Sequence, residues 1–563
     1  MKYSEIIKLN NLLEGQINGD EYKIVILSNI MIHQSKDICE YLLRTESLNA
    51  KVVLGEYDNI VQDSKKFQDS NAIVLFWEAC NFIDGLQFKI NLFSDHELEE
   101  LIARIKLEID IVLSALKNTP TVIINRFSSL IFDQFNLSVS NLKRLSNVLN
   151  IYLESNIGEN VTLFNIDGVI SRLSIKSAID LRYYYSSKTL YSIDFYREYF
   201  KNIQHIFFAA NGKTKKALIF DCDNTLWKGV LGEDGFDGIK IYQEVQYLAL
   251  QLSKKGVIIG LCSKNNPEDV DNVLKNHPDM ILKDSDIVIK KVNWDNKVLN
   301  LQSISEDLNI GIDSLVFMDD SSFEIELIKQ ELPAVKVFQV PAKEYEYGLM
   351  MNQVANLYFS PAKTKEDSFK TQMYKDQTIR SKAKNKTVDI ESYLTSLGIV
   401  ITVHLDNLNQ VSRISQLTQK TNQFNLTTQR YTESEIKSFI LSDDKIVLSI
   451  GVSDKYGVSG LTGLAILCKK NSKIDTLLLS CRVLGRNIEY KFIDTIVNVA
   501  KKNNFKVLKA DFIKTHKNSQ VEDFYDKCRF DIIRKSNDNS TYSLDIQSFE
   551  YTNIKYIKAI HER

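Results

Sequence analysis

Short apolar runs alternate with longer stretches in which apolar residues recur every three to four positions, and the alternation starts at Tyr22. YKIVILSN, AKVVLGE, NAIVLFW and TPTVIIN read as strands, separated by helical patterns of which the longest covers His96–Lys117. Strand and helix in strict alternation predict βαβ units and a parallel, doubly wound sheet, with sites in the loops that follow the strand C-termini. A second series begins at Lys215: KKALIFDCD, a helix over Tyr242–Lys255, GVIIGLCS, a helix after Pro267, MILKD, DIVIK, a helix over Lys297–Leu308, DSLVFMDD, a helix through Ile328, and AVKVFQV. This predicts a second α/β domain. Residues 362–387 are rich in charge and lack Gly and Pro, which reads as an exposed connecting helix or linker. From Val388 onward strands (KIVLSIGV, TGLAILC, DTLLLSCRV) mix with helices, which predicts an α+β domain. The expected division is 1–212, 213–361, a linker at 362–387, and 388–563.

Composition excludes several classes. A chain of 563 residues is too long for one hydrophobic core, and 44% hydrophobic with 25% charged residues is a globular balance. Lys plus Arg number 70 against 72 Asp plus Glu, a net charge of −2, so no overall field draws in nucleic acid or an anionic membrane. Anions must then be held locally. Seven cysteines spread along the chain contain no C-x-x-C pair or zinc spacing, the pattern of a reduced cytoplasmic protein. The N-terminal residues lack a signal-peptide apolar core, and no run reaches the ~18 apolar residues of a membrane span.

The densest chemistry lies in the second series. IFDCDNTLW puts Asp221 and Asp223 at the exit of an apolar strand, followed by Asn224 and Thr225. Two carboxylates so placed repel each other and call for a cation. Ser263 ends GVIIGLCS, Lys297 follows in NWDNK, and Asp319 and Asp320 end SLVFMDD. A parallel sheet would carry all four stations to one edge. Each residue type has a use in phosphoryl transfer: Asp221 as nucleophile, Asp223 as acid and then base, and Ser263, Lys297, Asn224 and Thr225 on the phosphoryl oxygens. Mg²⁺ would be held by Asp221, Asp223, Asp319 and Asp320. Bacterial receiver domains use similar carboxylates, but there the acidic pair precedes the phospho-accepting Asp and the Lys comes last. Lys297 follows Ser263 by only 34 positions, too few for a large covering domain, so the site should be open or roofed by neighbouring domains. The Gly229/Gly232/Gly235 series predicts a compact flap. Cys222, between the two aspartates, is either a thioester-forming nucleophile or a buried small hydrophobe.

The order D-x-D-x-T, Ser, Lys, D-D resembles the haloacid dehalogenase (HAD) superfamily of Mg²⁺-dependent phosphotransferases. DCDNTLWKGVLGEDG, NWDNK and FMDDSSFEIE resemble its FkbH-like branch of HAD-IIIC type, which is linked to loading a glyceryl unit from 1,3-bisphosphoglycerate onto an acyl carrier protein. The resemblance spans nearly the whole chain and implies an α/β multidomain architecture: an SGNH-hydrolase-like doubly wound domain, a capless HAD Rossmann-like domain and a GNAT-like α+β domain. Ser28 and Asn29 end the first strand in the SGNH-like manner, but no suitably spaced D-x-x-H follows near Asp180, so that domain is expected to be noncatalytic. In the third domain, a strand followed by R-V-L-G-R and a helix offers backbone N–H donors for a pyrophosphate at Arg482, Gly485 and Arg486. NSQVEDFYDKCRF resembles the acyltransferase segment that implies Asn518 and Tyr525 near a pantetheine thiol, with Arg529 where that segment usually has Gly. The turn with Asn422 and Asn425 is expected to help grip pantetheine or to form a docking surface for the carrier. The implied partners are a phosphorylated small-molecule donor and a phosphopantetheine-bearing acyl carrier protein, with neither nucleic acid nor membrane. Two competing readings are a simple phosphatase without acyl transfer and a carrier-binding scaffold.

Overall fold

The computed structural model describes residues 1–17, 20–132, 140–360, 369–385, 389–515, 517–536, 538–552 and 554–562. The chain divides into two compact units, Met1–Asn211 and Gly212–Arg563.

The first unit is built on five parallel strands, β1 (Tyr22–Ser28), β2 (Ala50–Leu54), β3 (Ala72–Phe76), β4 (Thr121–Asn125) and β5 (Val161–Phe164), in the order β2-β1-β3-β4-β5. The continuous apolar runs are explained by burial on both faces, since helices cover a parallel sheet on each side. The longest helix, Asp95–Ala115, starts where Ser94 Oγ accepts the Glu97 N–H and the Glu97 carboxylate accepts the Ser94 N–H. Ser28 ends β1 as expected, but its hydroxyl donates to the Phe76 carbonyl at 3.1 Å and accepts the Ile30 N–H at 3.0 Å. That hydroxyl ties β1 to β3.

The second unit holds two large sheets. In the first, β6 (Ala217–Phe220), β9 (Ile258–Ser263), β10 (Ile287–Val292), β11 (Leu315–Asp319) and β12 (Lys336–Gln339) run parallel in the order β10-β9-β6-β11-β12. Between β6 and β9 a small hairpin of β7 (Trp227–Lys228) and β8 (Lys240–Ile241) encloses the short helix Leu231–Gly238. No covering domain is inserted. The MILKD run, expected as a strand, is irregular: the Ile281 and Leu282 N–H groups donate to Gln246 Oε1 at 2.9 and 3.0 Å, so a side-chain amide takes the place of a strand partner.

The next sheet is formed by β13 (Ile399–Leu405), β14 (Phe424–Asn425), β15 (Lys445–Asp454), β16 (Gly457–Cys468), β17 (Lys473–Leu479), β18 (Val507–Ile513), β19 (Asp531–Lys535), β20 (Asn539–Asp545) and β21 (Ile557–His561). Their order is β19-β20-β18-β17-β16-β15-β13-β21, with β14 against β17. The parallel strands β17 and β18 pair only at Lys473–Lys509 and Ile474–Ala510, then part. The gap is filled by the chain itself: β14 pairs Phe424 with Leu479 and Asn425 with Leu478, and the Ile513 N–H of β18 donates to the Leu426 carbonyl at 2.8 Å.

The stretch expected as an exposed connector carries the helix Lys370–Asn385, and Met373, Tyr374, Asp376 and Arg380 on it are buried. Met373, Asp376 and Arg380 recur at helical spacing, so one face packs although its composition is polar. Tyr374 shares a hydrophobic cluster with Ala217, Ile258 and Phe317 of the parallel sheet and with Cys481 beyond β17. Arg380 grips Asp454 with two nitrogens, Nε at 2.8 Å from Oδ2 and Nη2 at 3.0 Å from Oδ1, and Arg486 Nη1 reaches Asp454 Oδ2 at 2.6 Å. All three side chains are buried. Among the described residues no helix is long and apolar enough to cross a membrane.

Removing the shared carboxylate leaves two buried guanidinium groups uncompensated. Asp454→Ala is therefore expected to destabilise the second unit by about 3–5 kcal/mol, read as a lower urea midpoint for the whole chain.

Candidate functional site

The parallel order of the sheet puts the C-terminal ends of β9, β6 and β11 side by side. Asp221 immediately follows β6, Ser263 is the last residue of β9, Asp319 is the last of β11, and Asp320 comes next. Lys297 is the first residue of the helix Lys297–Leu308. Its position is set by the loop after β10: the Asn293 N–H donates to the Ser263 carbonyl at 3.1 Å, Asn293 and Asn300 exchange side-chain hydrogen bonds, and Asn296 Oδ1 caps the helix by accepting the Val298 N–H at 2.8 Å.

Lys297 Nζ stands 2.6 Å from Asp319 Oδ2 and 3.1 Å from Asp221 Oδ1, with all three side chains buried. Carboxylate oxygens of Asp221, Asp319 and Asp320 lie within 4.8 Å of one another. Burial pushes the Asp221 carboxyl up to about 6; Lys297 pulls the other way and Asp319 adds to the rise. Burial also raises Asp319 and Asp320. For Lys297 burial disfavours the charged form, but Asp221 and Asp319 outweigh it and hold the ammonium charged. Three carboxylates face one ammonium, so negative charge is left over. Oxygen donors this close suit a hard divalent cation, which would neutralise them.

Asp223 was expected in the same metal set, and here the structure differs. Its Oδ1 accepts the Trp227 indole N–H at 2.9 Å and the Leu231 N–H at 3.1 Å, and its Oδ2 accepts Asn265 Nδ2 at 2.9 Å. The next residue, Asn224, takes a left-handed φ of 50°, and the turn it makes brings Trp227 and Leu231 of the β7–β8 flap onto Asp223. Asn224 stabilises that turn, its Oδ1 accepting the Gly229 N–H at 3.0 Å. Gly229 has φ 103°, and a Cβ there would meet Asp234 Oδ2 at 2.6 Å, the oxygen that accepts the Val230 N–H. Thr225 is buried, its carbonyl accepts the Tyr347 hydroxyl at 2.8 Å, and its Oγ1 has no hydrogen-bond partner among the described residues. Trp227, Asn265 and Tyr347 went unremarked in the sequence because none carries catalytic chemistry of its own. The closeness of Asn265 to Ser263 in CSKNN was the available signal.

Cys222, expected as a possible nucleophile, is fully buried in the apolar cluster with Leu218, Leu226 and Trp227. Burial, and then the neighbouring Asp221, push its thiol well above the ordinary range. A buried, protonated thiol beside carboxylates is a poor nucleophile. The structure assigns Cys222 to packing. Cys262 is likewise buried, in the cluster with Ile258 and Phe317 on the other face of the sheet.

Of the residues expected to grip pantetheine, Arg482 and Asn422 line one cavity with Lys215, Arg413 and Leu479, and the others do not reach it. Arg486 is held by Asp454 and donates to the Arg482 carbonyl at 2.8 Å. Asn518 is fully buried; its Nδ2 donates to the Asn425 and Ile513 carbonyls, both at 2.9 Å, and its Oδ1 accepts the Thr515 N–H at 2.7 Å. Tyr525 is buried against Phe530 and Tyr542. Gly485 has φ 76° with open space where a Cβ would stand, and Arg482 donates to the Ser459 carbonyl at 3.3 Å. The reason is the strand gap: with Phe424–Leu426 inserted, Asn425 and Asn518 complete backbone pairing instead of facing a ligand. Arg529, in place of the expected Gly, keeps a left-handed φ of 63°.

No protein-family model matches the chain, and no curated protein matches it. A crystal structure of the N-terminal part of the protein BF1531 from Bacteroides fragilis, containing a phosphatase domain complexed with Mg, is similar with a TM-score of 0.55 and 23% identity, over 64% of this chain and 100% of that one. The likeness is one of fold. The GNAT domain of S. lividans PAT aligns with a TM-score of 0.21 and 10% identity over 25% of this chain and 89% of its own. The spermidine/spermine N-acetyltransferase SpeG from Vibrio cholerae aligns with a TM-score of 0.21 and 14% identity over 26% of this chain and 94% of its own.

If Asp221, Asp319 and Asp320 hold a divalent cation, MgCl₂ should raise the thermal midpoint of the wild-type chain. Asp319→Asn should weaken that rise by at least about tenfold in the Mg²⁺ concentration required, as a thermal-shift titration would measure. An equal response in the two proteins would exclude Asp319 from the site.

Proposed function

We propose that this chain is a Mg²⁺-dependent phosphatase and acyl transferase of HAD type. It would act on a phosphorylated small acyl donor, such as 1,3-bisphosphoglycerate, and pass the acyl group to the pantetheine thiol of an acyl carrier protein. The observation that carries the reading is the cluster of Asp221, Asp319 and Asp320 around Lys297 at the sheet edge. Its setting in a fold like that of a phosphatase-domain protein complexed with Mg adds support.

Bound Mg²⁺ would neutralise the surplus carboxylate charge and polarise the phosphoryl group. A carboxylate oxygen of Asp221 attacks phosphorus as the bond to the leaving oxygen breaks, and Asp223 protonates that oxygen. Asp223 then takes a proton from the next nucleophile, whose attack on phosphorus breaks the bond to Asp221. Lys297, Ser263 and the unpartnered Thr225 hydroxyl are the donors available to the phosphoryl oxygens. With Cys222 packed away, the carrier thiolate would attack the acyl phosphate carbonyl of the donor directly, breaking the acyl C–O bond and releasing phosphate, without an enzyme thioester, while the Asp221 step would remove the remaining phosphate ester. The absence of an inserted domain between β6 and β9 leaves room for a macromolecular acceptor. Seven free cysteines suit a cytoplasmic setting.

A second reading, a phosphatase without acyl transfer, is favoured by the insert Phe424–Leu426, which occupies the place where β17 and β18 part. Incubating the chain with 1,3-bisphosphoglycerate, MgCl₂ and a candidate carrier protein separates the two. Phosphate release with a carrier mass gain of one glyceryl unit supports the transferase, and phosphate release with unmodified carrier supports the phosphatase. Asp221→Asn should fold with an unlowered thermal midpoint and lose phosphate release by at least about a thousandfold. Near-wild-type turnover in that variant would sink both readings.

A further inference from the structure

The flap touches the proposed proton-transfer residue directly. Of the three N–H groups on Asp223, two belong to the flap and both converge on Oδ1: the Trp227 indole at 2.9 Å and the Leu231 backbone at 3.1 Å. Oδ2 receives only Asn265 Nδ2, at 2.9 Å. A carboxylate oxygen has two lone pairs in its plane, so Oδ1 is saturated by two donors while Oδ2 keeps one lone pair open. The same side of the chain is stiffened from behind. Trp227 is fully buried and pairs with Ile241 in the hairpin, Asp234 Oδ2 holds the Val230 N–H at 2.7 Å, and Gly229 supplies the left-handed turn.

We propose that Trp227 and the Leu231 N–H are positioning donors for the proposed phosphoryl transfer: by saturating Asp223 Oδ1 they make Oδ2 the oxygen that gives and takes the proton. The proposal rests on the reading of Asp221 as nucleophile and Asp223 as acid and base. In the first step a carboxylate oxygen of Asp221 bonds to phosphorus, the bond to the leaving oxygen breaks, and that oxygen takes its electron pair and the proton from Oδ2. In the second, water attacks phosphorus, its proton goes to Oδ2, and the bond to Asp221 breaks to release phosphate and restore both carboxyl groups. A rotated Asp223 carboxyl would present the wrong oxygen, and a small misplacement of this kind is costly to proton transfer. Both flap donors are spent on Asp223 Oδ1, so both act through Asp223.

Two variants remove one donor each. Trp227→Phe keeps the aromatic bulk and loses the indole N–H. Leu231→Pro removes the backbone N–H at the first position of its helix, where proline is tolerated, after a Val230 whose φ of −107° and ψ of 113° suit a residue before proline. Single-turnover phosphoryl transfer is measured with p-nitrophenyl phosphate, whose leaving group needs little protonation, and with glycerol phosphate, whose leaving group needs a proton. The expected result in each variant is a first step within about twofold of wild type for p-nitrophenyl phosphate and about tenfold to a hundredfold slower for glycerol phosphate. The ratio of burst rate to steady-state rate with p-nitrophenyl phosphate should rise at least about tenfold, because breakdown of the phosphorylated Asp221 still needs the base. An equal loss for the two esters, or a loss for neither, overturns the positioning role. Wild-type enzyme that turns over neither ester with MgCl₂ overturns the reading of the site and this inference with it.

Discussion

A single buried ammonium group, Lys297 Nζ, sits between Asp319 and Asp221 at 2.6 and 3.1 Å, and the architecture of the parallel sheet serves that arrangement. Burying charges is expensive unless each finds a partner, and a pair in the interior tolerates little error in geometry. The order β10-β9-β6-β11-β12 brings the two aspartates to adjacent strand ends, and the Asn293, Asn296 and Asn300 contacts bring the lysine to them from the helix start. One cation among three carboxylates leaves the cluster underneutralised. Burial, with Asp319 adding to it, lifts Asp221 to about 6, and the surplus of close carboxylate oxygens suits a divalent cation.

The flap is the second consequence of a crowded strand exit. Two aspartates two residues apart would repel if both pointed into the cluster. The turn at left-handed Asn224 brings Trp227 and Leu231 back over Asp223, and with Asn265 they supply the N–H donors that hold it. The carboxylates are thereby divided between a cluster of close carboxylates and a hydrogen-bonded setting, and two chemically identical side chains acquire different surroundings.

The third sheet meets a different constraint. Parallel strands that part leave backbone donors and acceptors exposed, and buried backbone groups need partners. Phe424–Leu426 supplies them to β17 and β18, and Asn518 ties the insert in place. The charged helix Lys370–Asn385 is held by the same logic, since Arg380 and Arg486 share the buried Asp454 and Tyr374 joins a cluster common to both sheets. Within the stretch that reads as a linker, the helix Lys370–Asn385 packs through Met373, Tyr374, Asp376 and Arg380, and the residues at 362–368 and 386–387 lie outside the described ones.

Legibility in the sequence followed the range of the interactions involved. Strand runs such as KKALIFDCD and SLVFMDD, and the positions of Asp221, Ser263, Lys297 and Asp319 at their ends, depend on local alternation and on chemistry that residue types carry with them, so they could be read directly. The parallel α/β character followed from the same alternation. Which carboxylates converge could not be read, because Asp223 is held by donors from the flap and from Asn265 while Asp320 stays within the cluster. The burial of Cys222, the closed gap beside Asn518 and Tyr525, and the packing of Met373 and Arg380 are set by segments distant in the chain. Tertiary structure decided these, since burial and hydrogen-bond partnership belong to the assembled neighbourhood of a residue and are absent from its place in the chain.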